Sequence, residues 1–348
     1  MFAHEFMRNA LIAGSFVGLA CGLVGYFVVL RAQVFAGDAL SHVAFTGALA
    51  AAVLGFDVRI GLFAATILGG LVLGALGERA RADDVVIGSL FAWTLGLGVL
   101  FLSIFTTNSS AGNGTAGVRV LFGSIFGLST SAVETSVALA LVASALLLGI
   151  ARPLLYATLD TAVAAAQGVP VRALGLGFLV LLGLVAAQAS QAVGSLLLLG
   201  LLAAPAGAAH KLTNGPFRGL LFSAGLAIAS VWIGLTLSYL FPTLPPSSMI
   251  IAAAVGFYIL ALGAGAAREP RATWRLVRRV MVPVGCGLAV IGAAAVAQAR
   301  PSTPAGSNLV VAETLQSGAR PLAGEVVVID PARSAVQTAS RAPSNTSP

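Results

Sequence analysis

Long apolar runs dominate this sequence, and they constrain its fold more than any other feature. A transmembrane helix needs about 20 predominantly apolar residues. Hydrophobic residues make up 58% of the 348 residues and charged residues only 9%, whereas a soluble domain carries about a quarter charged residues. So few charges cannot cover a water-exposed surface, and lipid must therefore contact much of the protein. The pattern predicts an all-α, polytopic membrane helix bundle.

Eight of the apolar runs have the length of complete crossings. They cover residues 9–30, 58–76, 86–105, 132–151, 174–190, 192–209, 218–240 and 248–267. The run 39–54 differs, because Asp38 and His42 occupy its first turn and leave only Val43 to Leu54 uninterrupted. That length predicts a half-crossing helix, which is tolerated where it is buried in protein or lines a cavity.

The last part of the chain is predicted to be an addition to a transmembrane domain over residues 1–279. A further apolar run over 280–299 predicts one additional transmembrane helix at the C-terminal side. From Arg300 onward the chain turns polar and rich in Pro, Ser, Thr and Gly, so 300–348 is predicted to be a disordered polar tail.

Positive residues concentrate in one set of alternating loops, which comprises 77–85, 152–173, 210–217 with the following Arg218, and 268–279. The opposite set carries only Arg119, with Arg59 just beyond its first loop. The positive-inside rule makes the first set cytoplasmic. The net charge of +7 therefore reflects orientation in the membrane and not nucleic-acid binding. The N-terminus is cytoplasmic if 39–54 does not cross the membrane, and outside if it does.

Asp38 and His42 form the sharpest candidate site, because ionisable residues inside apolar segments are costly and therefore often functional. On a helix they are four residues apart and share one face. Imidazole nitrogen and carboxylate oxygen suit Zn²⁺, Mn²⁺ or Fe²⁺. Glu134, at the outer start of the run 132–151, is a third candidate ligand. Alternatively, Asp38 caps a helix, His42 is an ordinary polar residue in the bundle, and Glu134 is an interfacial acid.

A second candidate region is the cytoplasmic loop from Tyr156 to Val171. A short helix from Asp160 to Gln167 is predicted to end at Gly168, with Pro170 just beyond, as helix C-termini often do. Such a helix, held between two spans, could dock into a groove on another protein or could be an ordinary connector.

Several kinds of chemistry are excluded. Lys211 is the only lysine and follows His210, so no phosphate-cradling G-x-x-x-x-G-K-[ST] loop exists and the chain cannot hydrolyse ATP by the usual means. Cys21 and Cys286 lie singly in apolar runs, which rules out a disulfide framework. We expect neither an enzyme nor a permanently bound cofactor.

The segment GDALSHVAFTG, from Gly37 to Gly47, resembles the permeases of metal-ion ABC importers of the zinc and manganese uptake type. Three further segments are similar to that family and follow in its order over about residues 5–268. They are LFGSI from Leu121, LDTAVAAAQGVPV from Leu159, and VGSLL from Val193 through Pro205 and Ala209.

The resemblance implies a permease in the bacterial cell (inner) membrane that imports zinc or manganese by alternating access. It implies a homodimer, two cytoplasmic ATPase subunits and an extracytoplasmic metal-binding protein as partners. Asp38 and His42 would contact the ion near the outer gate. Asp160, Ala164 and Gly168 match the family's ATPase-coupling segment. The family's count of about eight spans favours the half-crossing interpretation of 39–54.

Two alternatives remain open at this point. A self-sufficient secondary transporter or channel would predict inverted repeats with intramembrane acids in corresponding halves, which the sequence lacks. An ABC permease for a chelated metal would need a wide path and would have no use for an acid–histidine pair. The choice among zinc, manganese and iron also stays open.

Overall fold

A computed structural model describes residues 5–77, 84–108, 123, 125–195, 198–241 and 243–268, which form ten helices. The helices are α1 Glu5–Leu30, α2 Val34–Leu54, α3 Val58–Leu76, α4 Asp84–Asn108, α5 Thr130–Leu159, α6 Thr161–Ala166, α7 Val171–Val193, α8 Leu198–Leu212, α9 Pro216–Leu240 and α10 Pro246–Arg268. A 3₁₀ turn, Ile125–Gly127, precedes α5. The predicted helix 280–299 and the predicted tail 300–348 lie outside the described residues.

Eight helices are long and apolar enough to cross a membrane, namely all of those described except α6 and α8. The prediction of a polytopic helical membrane bundle is therefore confirmed. The set of eight differs from the predicted set at two places. It includes α2, which was predicted to be short, and it excludes α8, which was predicted to be part of a complete span.

The half-crossing prediction for 39–54 is wrong. This segment belongs to α2, whose 21 residues extend about 31 Å at 1.5 Å per residue, enough for the hydrocarbon core. The helix starts five residues earlier than predicted, and it ends at Gly55, whose φ of 77° places it in the left-handed region. Asp38 and His42 therefore lie within a complete helix, because Val34 to Ala36 add an apolar turn before them.

The short helix is instead α8. The predicted single span 192–209 is divided, because α7 continues to Val193 and Gly194 then breaks the helix with a φ of 95°. Helix α8 has only 15 residues, about 22 Å, which is less than a full crossing. Gly123, from the LFGSI segment, lies against this break, since a Cβ on it would come 2.7 Å from the carbonyl oxygen of Ala192. The structure thus joins two of the motifs that the sequence shows separately.

Helices α1 and α7 form the centre of the bundle. Helix α1 packs against α5, α8 and α9, while α7 packs against α2, α3 and α5. Helix α4 contacts mainly α2 and leaves most of its surface exposed, as expected for a helix facing lipid. Glycines allow backbones to approach closely, as small residues do in membranes. A Cβ on Gly70 of α3, for example, would lie 2.6 Å from the carbonyl oxygen of Leu179 on α7.

The complete α2 helix has a consequence for topology that cysteine labelling can test. Ala32, in the exposed turn before α2, and Phe56, directly after α2, are expected on opposite sides of the membrane. In a Cys21→Ala, Cys286→Ala background, a membrane-impermeant thiol reagent should label Phe56→Cys in intact cells and should leave Ala32→Cys unlabelled. The loop charges place Phe56 outside. Labelling of both positions would restore the half-crossing interpretation.

Candidate functional site

Helix α2 places Asp38 and His42 on one face near its beginning. They are the fifth and ninth residues of the helix, and both side chains are half-buried. The N-cap of α2 is Gln33. The alternative explanation of Asp38 as a helix cap therefore fails, since a capping side chain must precede the first turn.

Helix α4 supplies the surroundings of the pair. The His42 ring meets the Phe91 ring edge-on, with centroids 4.9 Å apart. Asp38 lines a pocket of ≈ 340 Å³ together with Phe35, Asp84, Ile87, Gly88 and Phe91. Asp84, in the first turn of α4, was not among the predicted site residues. The only signal in the sequence was its place just before the apolar run 86–105.

The carboxylate of Asp38 makes no hydrogen bond to any of the described residues, whereas its backbone carbonyl accepts a bond of 2.7 Å from Ser41 Oγ. A charge in an apolar helix is costly by at least a few kcal/mol unless a partner compensates it. A half-buried carboxylate beside an imidazole, facing a pocket, can bind a cation that enters that pocket.

Glu134 is not brought to this pair. It lies exposed on α5, which packs mainly against α1 and α7. Within the described part of the chain, no three His, Cys, Asp or Glu side chains come together in a group that could hold a metal ion. A single chain therefore brings two of the three predicted ligands, Asp38 and His42, to one place.

The orientation predicted from the loop charges puts the pair in the cytoplasmic half of α2. Helix α2 then begins on the cytoplasmic side, and Asp84 starts α4 just after the loop 77–85, which belongs to the positive set. The expected position near the outer gate was combined with a half-crossing segment, whereas the 21 residues of α2 are long enough for a complete crossing.

The predicted short helix from Asp160 to Gln167 is confirmed as α6, Thr161–Ala166. The Asp160 side chain caps it by accepting bonds of 3.0 Å from the backbone N–H groups of Ala162 and Val163. Gly168 follows the helix with a φ of 81°, and the N–H of Val169 donates to the Ala164 carbonyl at 3.0 Å. Gly168 thus provides the left-handed residue that a helix C-terminus commonly requires.

Helix α6 presents an exposed apolar surface beside the ends of α5 and α7. Ala164 is fully buried and anchors the helix, while Val163 is 44% exposed and Leu159 is 73% exposed. A pocket of ≈ 530 Å³ adjoins this surface and is lined by Thr161, Ala162, Ala165, Val171 and Arg172. The surface therefore combines exposed apolar side chains with a recess beside them.

The fold and these two regions together define a class: a polytopic membrane permease with an intramembrane carboxylate–histidine pair and a short helix at the cytoplasmic end. Residues 3–264 match the model of the ABC 3 transport family. The chain therefore belongs to the ABC 3 transport family, a family of metal-ion ABC permeases.

Individual relatives agree with the family assignment. The chain is 28% identical over 258 residues to the "Manganese transport system membrane protein MntC" of Halalkalibacterium halodurans, covering 74% of this chain and 87% of that protein. It is 29% identical over 259 residues to the "Probable iron transport system membrane protein" of Haemophilus influenzae, covering 74% and 93%. Among solved structures, PsaBC from Streptococcus pneumoniae in complex with Fab matches with a TM-score of 0.65 and 26% identity, covering 74% of this chain and 91% of that chain.

Proposed function

We propose that this chain is the permease subunit of an ABC importer for a divalent transition-metal ion, with manganese as the first candidate and zinc as the second. The observation that carries the proposal is the half-buried Asp38–His42 pair on α2, of which Asp38 lines a pocket between α2 and α4. Carboxylate oxygen and imidazole nitrogen suit Mn²⁺. The names of several relatives, which specify manganese, support this order of candidates.

The missing ligands are proposed to come from a second copy of the chain. Most soluble oligomers of identical chains are symmetric pairs in which the same surface is used twice, and we extend that rule to this membrane protein. Two copies of Asp38 and His42 around a shared path would supply two oxygen and two nitrogen donors. Four donors leave open some of the six positions that Mn²⁺ commonly takes, which suits an ion that must also leave.

The pocket beside Asp38 is proposed to be the start of the exit path to the cytoplasm. Asp84 lines the same pocket from the first turn of α4. A carboxylate at the mouth of the pocket would attract a divalent cation that leaves the pair, because opposite charges interact strongly where the surroundings are apolar.

Energy for transport is proposed to come from partner ATPase subunits, since the chain has no P-loop of its own. Helix α6, with its exposed Val163 and with the exposed Leu159 at the adjoining end of α5, would be their docking element. ATP-driven closure would shift the permease between outward-open and inward-open states. An extracytoplasmic metal-binding protein would deliver the ion to the outer side.

The proposal is tested by metal uptake in cells that lack the chromosomal copy of this permease. Expression of the chain together with its ATPase should restore Mn²⁺ accumulation, measured by elemental analysis, and deletion of the ATPase should abolish it. Parallel measurements with Zn²⁺ and Fe²⁺ would identify the cargo. Mn²⁺ uptake that persists without the ATPase would instead indicate a self-sufficient transporter.

A further inference from the structure

Arg31 is buried in the short turn that joins α1 to α2. Only 6% of its surface is exposed, although it carries a permanent positive charge. It lies seven residues before Asp38, and in sequence it looks like an ordinary charge flanking the first span. A buried arginine requires partners that compensate its lost hydration.

Among the described residues, contacts of Arg31 reach the turn itself, α5 and α7. Its Nε donates to Oε1 of Gln33 at 3.1 Å, within the turn. Its Nη1 donates to Oγ1 of Thr158 on α5 at 3.4 Å. Its guanidinium carbon lies 5.3 Å from the centre of the Phe178 ring on α7, at cation–π distance.

Thr158 links Arg31 to the α6 segment, because it lies two residues before Asp160, the cap of α6. The Thr158 hydroxyl donates to the Leu154 carbonyl at 2.6 Å, which leaves its lone pairs free to accept from Arg31. Any displacement of α6 that carries the end of α5 with it therefore moves an atom to which Arg31 is bonded.

The turn itself is stiff. The N–H of Arg31 bonds to the Phe27 carbonyl and the N–H of Gln33 to the Val28 carbonyl, both at 2.8 Å. Ala32 adopts a φ of 54°, in the left-handed region that residues other than glycine rarely occupy. A stiff turn cannot absorb a displacement of Arg31 by bending, so the displacement passes to the first residues of α2.

We propose that Arg31 is a positioning residue that couples movement of the α6 segment to the start of α2 and so to Asp38. This inference rests on the proposed function, since it assigns the mechanical link between the ATPase contact and the metal pair. Arginine suits this task better than lysine, because its planar guanidinium holds several bonds in a fixed geometry and stacks on an aromatic ring.

The test uses the full chain assembled with its ATPase subunits in proteoliposomes, with Mn²⁺ uptake and ATP hydrolysis measured together. Arg31→Lys is expected to lower the Mn²⁺ transported per ATP hydrolysed by about tenfold, the scale of one charge-assisted hydrogen bond. Thr158→Val should lower it by roughly threefold, because the bond that it removes is long, at 3.4 Å, and Arg31 keeps its other contacts. The double variant should be no worse than Arg31→Lys, because both changes remove the same link.

Thr213→Val is the matched control. Like Thr158, Thr213 is half-buried, and its hydroxyl donates to the carbonyl four residues earlier, at 2.7 Å. Unlike Thr158, it makes no described bond to Arg31. It should leave the transport ratio unchanged. If the role of Arg31 is purely structural, Arg31→Lys should lower the yield or the melting temperature of the protein. The fraction that assembles should then transport the normal amount of Mn²⁺ per ATP hydrolysed.

Each outcome decides the question. Suppose that the wild-type protein transports Mn²⁺ with ATP hydrolysis and that Arg31→Lys and Thr158→Val both keep its ratio of Mn²⁺ to ATP. That result overturns this inference and leaves the proposed function intact. If Arg31→Lys fails to assemble, the ratio in Thr158→Val alone decides. If wild-type protein with its ATPase transports no metal, the proposed function fails and this inference fails with it.

Discussion

Replacing Asp38 with asparagine is expected to lower Mn²⁺ uptake by roughly 100-fold at equal amounts of folded protein. Asparagine has nearly the same shape but no charge, and it is a poor ligand for a hard divalent cation. Even indirect disturbance of a metal site costs about 10- to 100-fold in affinity or activity. Loss of a charged ligand should have an effect at the upper end of that range or beyond it.

The structure makes this substitution a clean test. The Asp38 carboxylate makes no hydrogen bond to the described residues and caps no helix, so asparagine should not weaken the fold. Removal of a half-buried charge should, if anything, favour insertion into the membrane. His42→Ala should also reduce uptake strongly, because it deletes the nitrogen donor.

Asp57→Asn is the matched control. Asp57 is a true helix cap, whose side chain accepts a 2.8 Å bond from the N–H of Arg59. Asparagine and aspartate cap helices about equally well, so uptake and stability should both remain normal. Wild-type uptake in Asp38→Asn, measured at equal expression, would mean that the carboxylate is not a metal ligand.

Gly168→Glu is expected to reduce uptake below detection while leaving the protein in the membrane. Gly168 has a φ of 81°, and no atom lies within 4 Å of the position that a Cβ would occupy. A side chain there would therefore meet nothing within the chain and would project from the α6 surface proposed to contact the ATPase. The backbone strain is about 1 kcal/mol, too small to unfold the bundle. Association with the ATPase, measured by co-purification, should fall together with uptake.

Two control variants separate the protruding carboxylate from the backbone strain. Gly168→Ala carries similar strain without the protrusion and should retain most uptake. Gly55→Glu introduces the same residue at a φ of 77°, also with no atom within 4 Å. Gly55 follows the C-terminal end of α2 and does not belong to the α6 segment. It should leave ATPase association unchanged. Normal co-purification and uptake in Gly168→Glu would remove the α6 segment from the proposed mechanism.

Prediction from sequence was most accurate where a local pattern determines local structure. The short helix from Asp160 to Gln167 and its end at Gly168 were predicted within a residue, because helix ends depend on the residues next to them. The spacing of Asp38 and His42 was sufficient to predict that they share a face. Glu134 was added on position alone, and its distance from the pair depends on which helices are neighbours.

The lengths of two helices could not be predicted in this way. An acid and a histidine interrupt the apolar run of α2, so the segment seemed too short in sequence, although the backbone continues through both residues. The predicted run 192–209 contains only one polar residue, Ser195, although Gly194 breaks the helix there. Hydropathy reports the surroundings of a side chain, whereas helix continuity depends on backbone geometry and on neighbours such as Gly123.

The sequence by itself determined that the chain is a helical membrane bundle, that it carries no ATP-hydrolysing loop, and that its acid–histidine pair shares one helix face. These properties follow from composition, from the absence of a motif and from the period of the helix. Only the tertiary structure decided that Asp84 lines the pocket of Asp38 and that Arg31 contacts Thr158. Those pairs are far apart in sequence, and packing between helices, which no local pattern encodes, brings them together.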